Sequence, residues 1–263
     1  THLERSLKKY DLQQRQLKDT EKREKYRLYG ELLHTYGYSV PAGAKSTVVT
    51  NYYDNTELTI PLDETLSATD NAKRYFEKYN KQKRTYEALT TQIEETQSEI
   101  EHLQSIAAAL SMPLEQEDLT EIRQEMVQYG YLKKAPVSGK KGKIKITSKP
   151  HHYISSDGFH MYVGKNNFQN DALTFHFAEN NDMWFHAKKR PGSHVIVRTE
   201  GKELPDRTYE EAGQLAAYYS SGRDADKVEI DYVEKKQVKK PAGGKPGFVI
   251  YHTNYSLMAK PDI

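Results

Sequence analysis

The sequence predicts an α+β fold: a long antiparallel helical coiled-coil hairpin, with a small β-hairpin at its turn, followed by a compact mixed α+β domain. Two patterns carry this prediction. Apolar residues repeat every seven positions over about residues 67–110, and short β-prone segments alternate with two helices after residue 150. Hydrophobic residues make up only 36% of the 263 residues. A share this low is typical of an elongated chain that leaves much of its length in water.

Residues 1 to about 36 have the pattern of one helix. Apolar residues recur at three- and four-residue spacing, and neither Pro nor Gly interrupts the segment before Gly30. Polar residues such as Gln14 and Glu21 occupy other positions of the seam, which is therefore imperfect. The apolar positions are Leu3, Leu7, Tyr10, Leu17 and Leu28.

Residues 37–66 break the helical pattern and predict a small β-hairpin. Gly37, Pro41 and Gly43 are typical of turns. Residues 47–53 and 57–60 are β-prone, and the turn residues Asp54 and Asn55 separate them. Because this hairpin lies at the tip of a long arm, we expect it to contact another macromolecule, a protein or an RNA.

The second helix is predicted over about residues 67–110. Heptads sustained over this length require a partner helix. The first helix is the expected partner, because the hairpin lets the chain fold back antiparallel. Pairing between two copies, which would make the chain a dimeric scaffold, is the alternative. The two seam positions hold Ala72, Tyr79, Tyr86, Ile93, Ile100 and Ala107, and Tyr75, Gln82, Leu89, Thr96, Leu103 and Leu110.

Pro113 ends this helix, and residues 114–128 predict a short helix closed by Gly130. A lysine-rich stretch with no acidic residue follows, which favours either a polyanion-binding segment or a solvated tether. We therefore predict an arm over residues 1–130, a linker over 131–150 and a C-terminal domain over 151–263. The lysines of this stretch are Lys133, Lys134, Lys140, Lys141, Lys143, Lys145 and Lys149.

The C-terminal domain is predicted as α+β from its alternating short patterns. Helices are expected at residues 166–173 and 209–220. Strands are expected at residues 152–155, 161–163, 174–177, 182–187, 193–198, 228–233, 236–238 and 248–251.

Two segments of this domain concentrate residue types that bind nucleic acid. Residues 182–195 contain the only Trp, three consecutive cations and a Pro-Gly turn, and residues 164–171 are dense in amides. Cations bind phosphate oxygens, amides bind sugars or base edges, and a glycine lets the backbone approach an anion. Trp184 or Tyr162 could stack on an unpaired base. The candidate RNA-binding residues are Lys165, Asn166, Asn167, Asn170, Trp184, His186, Lys188, Lys189, Arg190, Gly192, Ser193, His194 and Arg198.

Several of these candidates also have a purely structural explanation. Trp184 alternates with apolar residues, as a core residue of a strand does, and His186 shares its side of the strand. Asn166 is placed to cap the helix that follows it. Residues 188–190 also fit an ordinary solvated loop.

Composition and spacing argue against an enzyme, a metal site and a cofactor. The chain has no cysteine, which excludes disulfides and thiolate zinc sites. The spacing of His176, His186 and His194 matches no metal motif, and the adjacent Ser193 and His194 point to opposite faces of a strand. No run of about 18 apolar residues is present to span a membrane. The first residues have a helical pattern and no signal-like segment, so we expect a part of a longer protein.

Residues 164–171 and 182–195 resemble signature motifs of the C-terminal domain of the NFACT proteins. Members of this family include the bacterial RqcH proteins, often called fibronectin-binding protein A-like, and the eukaryotic NEMF proteins. Residues 61–63, 71–76 and 79–81 resemble the returning helix of the family's arm. The resemblance extends over essentially the whole chain.

The resemblance implies a coiled-coil arm and an RNA-binding-type C-terminal (NFACT-R) domain, without the N-terminal domain that carries the family's residues for tRNA ends. It implies a cytoplasmic quality-control factor that binds the large ribosomal subunit, through ribosomal RNA, and tRNA in the rescue of stalled ribosomes. The family also includes proteins described as surface adhesins. Fibronectin binding at the surface of a Gram-positive bacterium is therefore the second hypothesis, and no membrane partner is expected.

Overall fold

The computed structural model describes residues 1–133 and 147–263. By its internal contacts the chain divides into two compact units, Leu3–Ile100 and Glu101–Ile263. Most of the predicted lysine-rich linker lies outside the described residues, namely Lys134, Lys140, Lys141, Lys143 and Lys145.

The predicted first helix is divided in two. Helices α1 (His2–Asp19) and α2 (Arg23–Tyr36) are separated by a 3-10 turn at Thr20–Lys22. The Thr20 hydroxyl donates to the carbonyl of Leu17 over 2.6 Å, and such back-bonding competes with regular helix. The prediction of one uninterrupted helix is therefore wrong at this point.

Helices α1 and α2 pair antiparallel with the long helix α3 (Ala68–Leu110) in the first unit. The pairing within one chain confirms the predicted coiled-coil hairpin. The direction follows from three contacts, Ser6 with Glu99 at 3.1 Å, Arg23 with Tyr86 at 4.0 Å and Tyr29 with Tyr75 at 5.2 Å.

The heptad seam of α3 is buried or half-buried from Ala72 to Ile100, as predicted. It does not continue to the end of the helix, because Ala107 and Leu110 are exposed. In the second unit the last turns of α3 bury the seam residue Leu103 together with two residues outside the seam, His102 and Ile106. The seven-residue repeat therefore predicts the arm but only part of the face that α3 buries in the second unit.

A two-stranded antiparallel hairpin confirms the predicted turn of the arm. Strand β1 (Ser46–Asn51) pairs with β2 (Thr56–Pro61), and Asn55 in the turn has a φ of 58°. Val49 and Ile60 alternate onto the inner face and pack with Leu32 and Leu33 of α2.

The second unit contains a six-stranded antiparallel sheet of order β3-β4-β6-β5-β7-β8. Helix α4 (Gln116–Gln128) precedes it, and α5 (Asn167–Ala172) and α6 (Asp206–Tyr218) lie within its connections. The strands are β3 (His151–Ile154), β4 (His160–Val163), β5 (Met183–Ala187), β6 (Val195–Val197), β7 (Val228–Glu234) and β8 (Tyr255–Ala259).

The alternation of side chains along β5 gives the sheet a core on each face. Met183, Phe185 and Ala187 pack with Leu215 and other residues of α6. On the opposite face, Trp184 packs in a second core with Leu173, Ile196 and Val233.

Three predicted strands differ in the structure. Residues 174–177 continue α5 as a π-helical turn (Leu173–Phe177), in which Thr174 shares a hydrogen bond with His194 over 2.7 Å. Residues 235–237 form a 3-10 turn, and residues 248–251 contribute only a bridge between Ile250 and Lys239. Strand β8 was not predicted, because this mostly exposed edge strand contains no β-branched residue.

Candidate nucleic-acid interface

The amide-rich segment after β4 turns inward. Asn166 precedes α5, and its Oδ1 atom accepts a hydrogen bond from the backbone N–H of Gln169 over 3.0 Å, which confirms the capping role. Asn166, Asn167, Gln169 and Asn170 are all at most 5% exposed. Buried amides need partners inside the protein, and here α4 supplies acceptors for Asn166, Asn167 and Gln169.

Glu121 of α4 accepts hydrogen bonds at both of its oxygens. Its Oε1 atom accepts from the backbone N–H groups of Thr147 and Ser148 over 2.7 and 2.9 Å. Its Oε2 atom accepts from the side-chain amides of Asn166 over 2.8 Å and Gln169 over 3.3 Å, and from the Ser148 hydroxyl. These donors stabilise a carboxylate that is only 1% exposed.

Two further acidic residues of α4 extend this network. Glu125 accepts from the Nδ2 group of Asn167 over 2.8 Å and lies 2.7 Å from Nε2 of His102. Asp118 forms an ion pair with Lys165 over 3.2 Å. The three carboxylates lie three and four residues apart and so share one face of the helix. The three- and four-residue spacing of these acidic residues was the sequence signal for a shared acidic face. The apolar residues Leu119 and Met126 indicated an apolar face of the same helix instead.

Asn170 joins the two motif segments. Its Oδ1 atom accepts from the backbone N–H of His194 over 3.0 Å, and its Nδ2 group donates to the carbonyl of Gly192 over 3.4 Å. Gly192 forms a bridge with Ser220, and a Cβ atom added to Gly192 would lie 2.9 Å from that of Ser220. The glycine is therefore needed for close packing of the loop against Ser220. The neighbouring Ser193 is also buried.

A cavity of about 430 Å³ opens beside this loop. Residues from both motif segments line it, together with Phe248 and Tyr251, and Glu101 contributes a carboxylate to the wall. The predicted site residues that it brings together are Asn167, His186, Lys189, Arg190, Gly192 and His194.

The predicted cations differ in their availability to a ligand. Lys188 lies 2.6 Å from Glu229, and this hydrogen bond raises the pKa of its ammonium group. Arg198 pairs with Glu179 and Asp182 over 2.5 and 2.9 Å. Lys165 is held by Asp118, as described above. In contrast, Lys189 and Arg190 are exposed and make no ion pair within residues 1–133 and 147–263.

The two histidines of the cavity are neutral at physiological pH. Burial lowers the pKa of His186 to about 4. Burial and the neighbouring His186 lower the pKa of His194 well below its usual value. Their rings lie 5.4 Å apart in an edge-to-face arrangement. Neutral rings act as hydrogen-bonding and packing groups here, so the positive charge of the cavity comes from Lys189 and Arg190.

Trp184 is fully buried in the second core of the sheet. Its ring stacks on His186 at 5.6 Å between centroids and meets Tyr251 at 5.1 Å. The burial favours the core explanation of Trp184 over stacking on a base. Tyr162, the other predicted stacking residue, is only half-buried.

Models of two domain families match the chain. The NFACT N-terminal and middle domains match residues 1–145, and the NFACT protein RNA binding domain matches residues 149–252. The chain belongs to the NFACT family. The candidate residues from Lys165 to Arg198 all lie within the part that matches the family's RNA-binding domain.

Relatives in the NFACT family are similar over nearly the whole chain. The chain is 43% identical over 262 residues to the Rqc2 homolog RqcH of Streptococcus suis and 38% identical over 253 residues to that of Bacillus subtilis. These alignments cover 99% and 94% of the chain but only 46% and 43% of the relatives, so the chain spans less than half of their length.

A solved structure shares the fold. It is the C-terminal part of the fibronectin/fibrinogen-binding protein from Streptococcus suis, with a TM-score of 0.74 and 36% sequence identity. The match covers 99% of this chain and 90% of that one. It confirms the predicted α+β class for the chain.

The described residues contain no group of three or more His, Asp or Glu side chains placed to hold a metal ion. No helix in them is long and apolar enough to cross a membrane.

Proposed function

We propose that this chain is the arm and RNA-binding part of a cytoplasmic ribosome quality-control factor, which binds the large ribosomal subunit and tRNA in the rescue of stalled ribosomes. One observation carries the proposal. Lys189 and Arg190, which make no ion pair in the described part of the chain, line one cavity and lie within the residues matched by the family's RNA-binding domain. The relatives named RqcH, and a Drosophila melanogaster relative named as a homolog of a ribosome quality control complex subunit, support it.

The geometry suits a phosphate contact. Both cations lie on the loop before Pro191 and Gly192, and Lys189 has a φ of 53°. Next to them, Gly192 also lines the cavity, although its missing Cβ makes room for Ser220 and not for a ligand as predicted. Phosphate contacts of this kind supply affinity without sequence information, and they make binding strongly dependent on salt.

Because Lys165, Lys188 and Arg198 are already paired with acidic residues, only Lys189 and Arg190 need to be changed in the experiment. The double change Lys189→Gln and Arg190→Gln removes the two available charges without exposing a carboxylate. The matched control is Lys227→Gln with Lys260→Gln, which removes two exposed charges from neighbouring positions at the β7–β8 edge, outside the cavity. Both variants have the same net charge.

The test is co-sedimentation of the chain with large ribosomal subunits, and filter binding to tRNA, over a salt series. We expect the cavity variant to bind more weakly and to reduce the salt slope by about one unit for each phosphate group that it no longer neutralises. The control variant should keep the slope of the unmodified chain. An equal slope in all three proteins would rule out this cavity, and absence of any saturable RNA binding would rule out the function.

A second candidate function comes from the solved relative, which is named as a fibronectin/fibrinogen-binding protein. Under this alternative the chain is part of a cell-surface adhesin. Fibronectin binding should then be saturable, survive nuclease treatment and be unaffected by the loss of Lys189 and Arg190. Binding that disappears with nuclease would instead reflect RNA carried with the protein.

We also propose the division into an arm over residues 1–130, a linker over 131–150 and a C-terminal domain over 151–263. Since α4 makes its buried hydrogen bonds with the residues around α5, a C-terminal fragment for binding studies should begin before α4.

A further inference from the structure

A group of aromatic rings lies at the edge of the sheet formed by β3 and β4. His152 and Tyr162 are directly opposite each other in the two strands, and their rings stack 4.7 Å apart at 13°. His160 shares a hydrogen bond with His152 over 2.8 Å, with the two rings 10° from parallel. The edge of Phe177 meets Tyr162 at 4.7 Å between centroids.

These rings form one wall of a second cavity, of about 540 Å³. Pro150 and Leu173 add apolar surface, and Lys149 stands at the wall. None of the described residues that line it carries a carboxylate. His152, His176 and Phe177 are exposed and Tyr162 is half-buried, so part of the ring surface is accessible.

Arg198 holds one of these rings in place. Its guanidinium lies 5.0 Å from the centre of the Phe177 ring, and Asp182 and Glu179 fix the guanidinium. Arg198 was a predicted phosphate contact. Its paired charge and its position over the ring instead suit a residue that orients Phe177.

We propose that this second cavity binds one unpaired base of RNA by stacking on Tyr162 and His152. The inference rests on the RNA binding proposed above and adds to it a site for a base. An apolar, ring-lined cavity beside a cation is the combination that holds single-stranded RNA, because the rings stack on the base and the cation meets its phosphate. Lys149 makes no ion pair within the described residues and can supply that cation.

The chemistry also predicts how selective the site is. Stacking uses the face of a base, and every base has one. The Gln169 side chain, which also lines the cavity, already donates to Glu121 and Ser148 and accepts from the backbone N–H of Lys165. It is therefore not available to read a base edge, and stacking by itself accepts all four bases.

The experiment compares two RNA probes that carry the same charge. One is a short single-stranded oligoribonucleotide, and the other has the same sugar–phosphate chain with its bases removed. Affinities are measured for the full chain and for Tyr162→Leu, Tyr162→Phe and His152→Ala. The last of these changes an exposed residue and tests the site even if Tyr162→Leu does not fold. The matched control is Tyr255→Leu, which removes an exposed ring from the opposite edge strand β8.

We expect the unmodified chain to bind the base-bearing probe about five-fold or more tightly than the abasic probe, since one stacked base contributes on that order. Tyr162→Leu and His152→Ala should remove this preference and leave binding to the abasic probe unchanged. Tyr162→Phe and Tyr255→Leu should retain it. A fluorescent purine analogue in the probe should be quenched on binding only by the proteins that keep the ring pair.

Other outcomes separate this inference from the function it rests on. Equal binding of the two probes would overturn the base site and leave RNA binding through Lys189 and Arg190 intact. A base preference that persists in both ring variants would also overturn it. If neither probe bound, both proposals would fail. Capture of an apolar peptide without any preference for bases would assign the cavity to a protein partner and overturn the inference.

Discussion

The Nδ2 group of Asn166 donates a hydrogen bond to the Oε2 atom of Glu121 over 2.8 Å, although the two residues are 45 positions apart. The contact joins α4 to the first residue before α5, and both side chains are at most 2% exposed. A motif that is rich in amides therefore serves first to bind a helix of its own chain.

Replacing Glu121 by Gln should destabilise the second unit. The amide nitrogen would face donors that now point at a carboxylate, leaving buried N–H groups without an acceptor. We expect a loss of about 2–4 kcal/mol in the free energy of unfolding. Urea unfolding followed by Trp184 fluorescence measures it, because the only Trp is buried in this unit.

The control for Glu121 is Glu117→Gln, an exposed residue one turn earlier on the same helix. It should change the free energy of unfolding by less than about 0.5 kcal/mol. Similar values for the two variants would mean that the network around Glu121 does not stabilise the fold.

A substitution in the helical seam of the arm should destabilise the first unit without destabilising the second. Ile93 is 8% exposed in α3, and Ile93→Ala should destabilise the first unit by about 2–4 kcal/mol. Loss of helical circular dichroism should then precede the change in Trp184 fluorescence. Glu94→Ala, at an exposed neighbouring position, is the control.

Light scattering tests the in-chain pairing of the same seam. Since α1 and α2 already cover α3, the chain should be a monomer of 30.4 kDa. Twice this mass, reduced to the monomer by Ile93→Ala, would show that the seam pairs two copies.

Stability should fall with acid as His186 titrates. Its folded pKa of about 4 lies below the usual value of 6.5, so the unfolded chain binds the proton more tightly. The stabilisation is complete above pH 6.5 and is lost as the pH falls from 6.5 towards 4, with a slope of up to about 1.4 kcal/mol per pH unit. His186→Gln should flatten this part of the profile in urea unfolding. An unchanged slope would show that other groups dominate acid unfolding.

The arm tip presents apolar side chains to solvent. Tyr38 is 89% exposed and Val48 is 61% exposed. We expect Tyr38→Ser with Val48→Ser to weaken association with the large ribosomal subunit by about tenfold, the size of one anchor residue. Leu12→Ser, at an exposed apolar position on α1, should leave association unchanged. Equal effects of the two variants would remove the tip as a contact.

Periodicity predicted the elements whose environment is regular. The heptads of α3 repeat because the same face meets a partner helix throughout the first unit. Buried and exposed residues alternate along β1 and β2, with Val49 and Ile60 inside, because one face of the hairpin is buried. Periodicity did not predict the π-helical turn at Leu173–Phe177, since the aromatic residues there are also typical of strands.

The α+β class, the coiled-coil arm with its hairpin, and the two segments of the candidate interface were predictable from the sequence. Which cations remain available to a ligand, and which amides are buried, depends on the tertiary fold. Lys189 differs from Lys188 in sequence by one position, yet Glu229 from another strand pairs only with Lys188. Asn166 is buried because Glu121, which is distant in the sequence, accepts a hydrogen bond from its side chain. The partners that neutralise a charge or accept a hydrogen bond come from distant parts of the chain. Their effect depends on the distance in space, which the local sequence pattern does not contain.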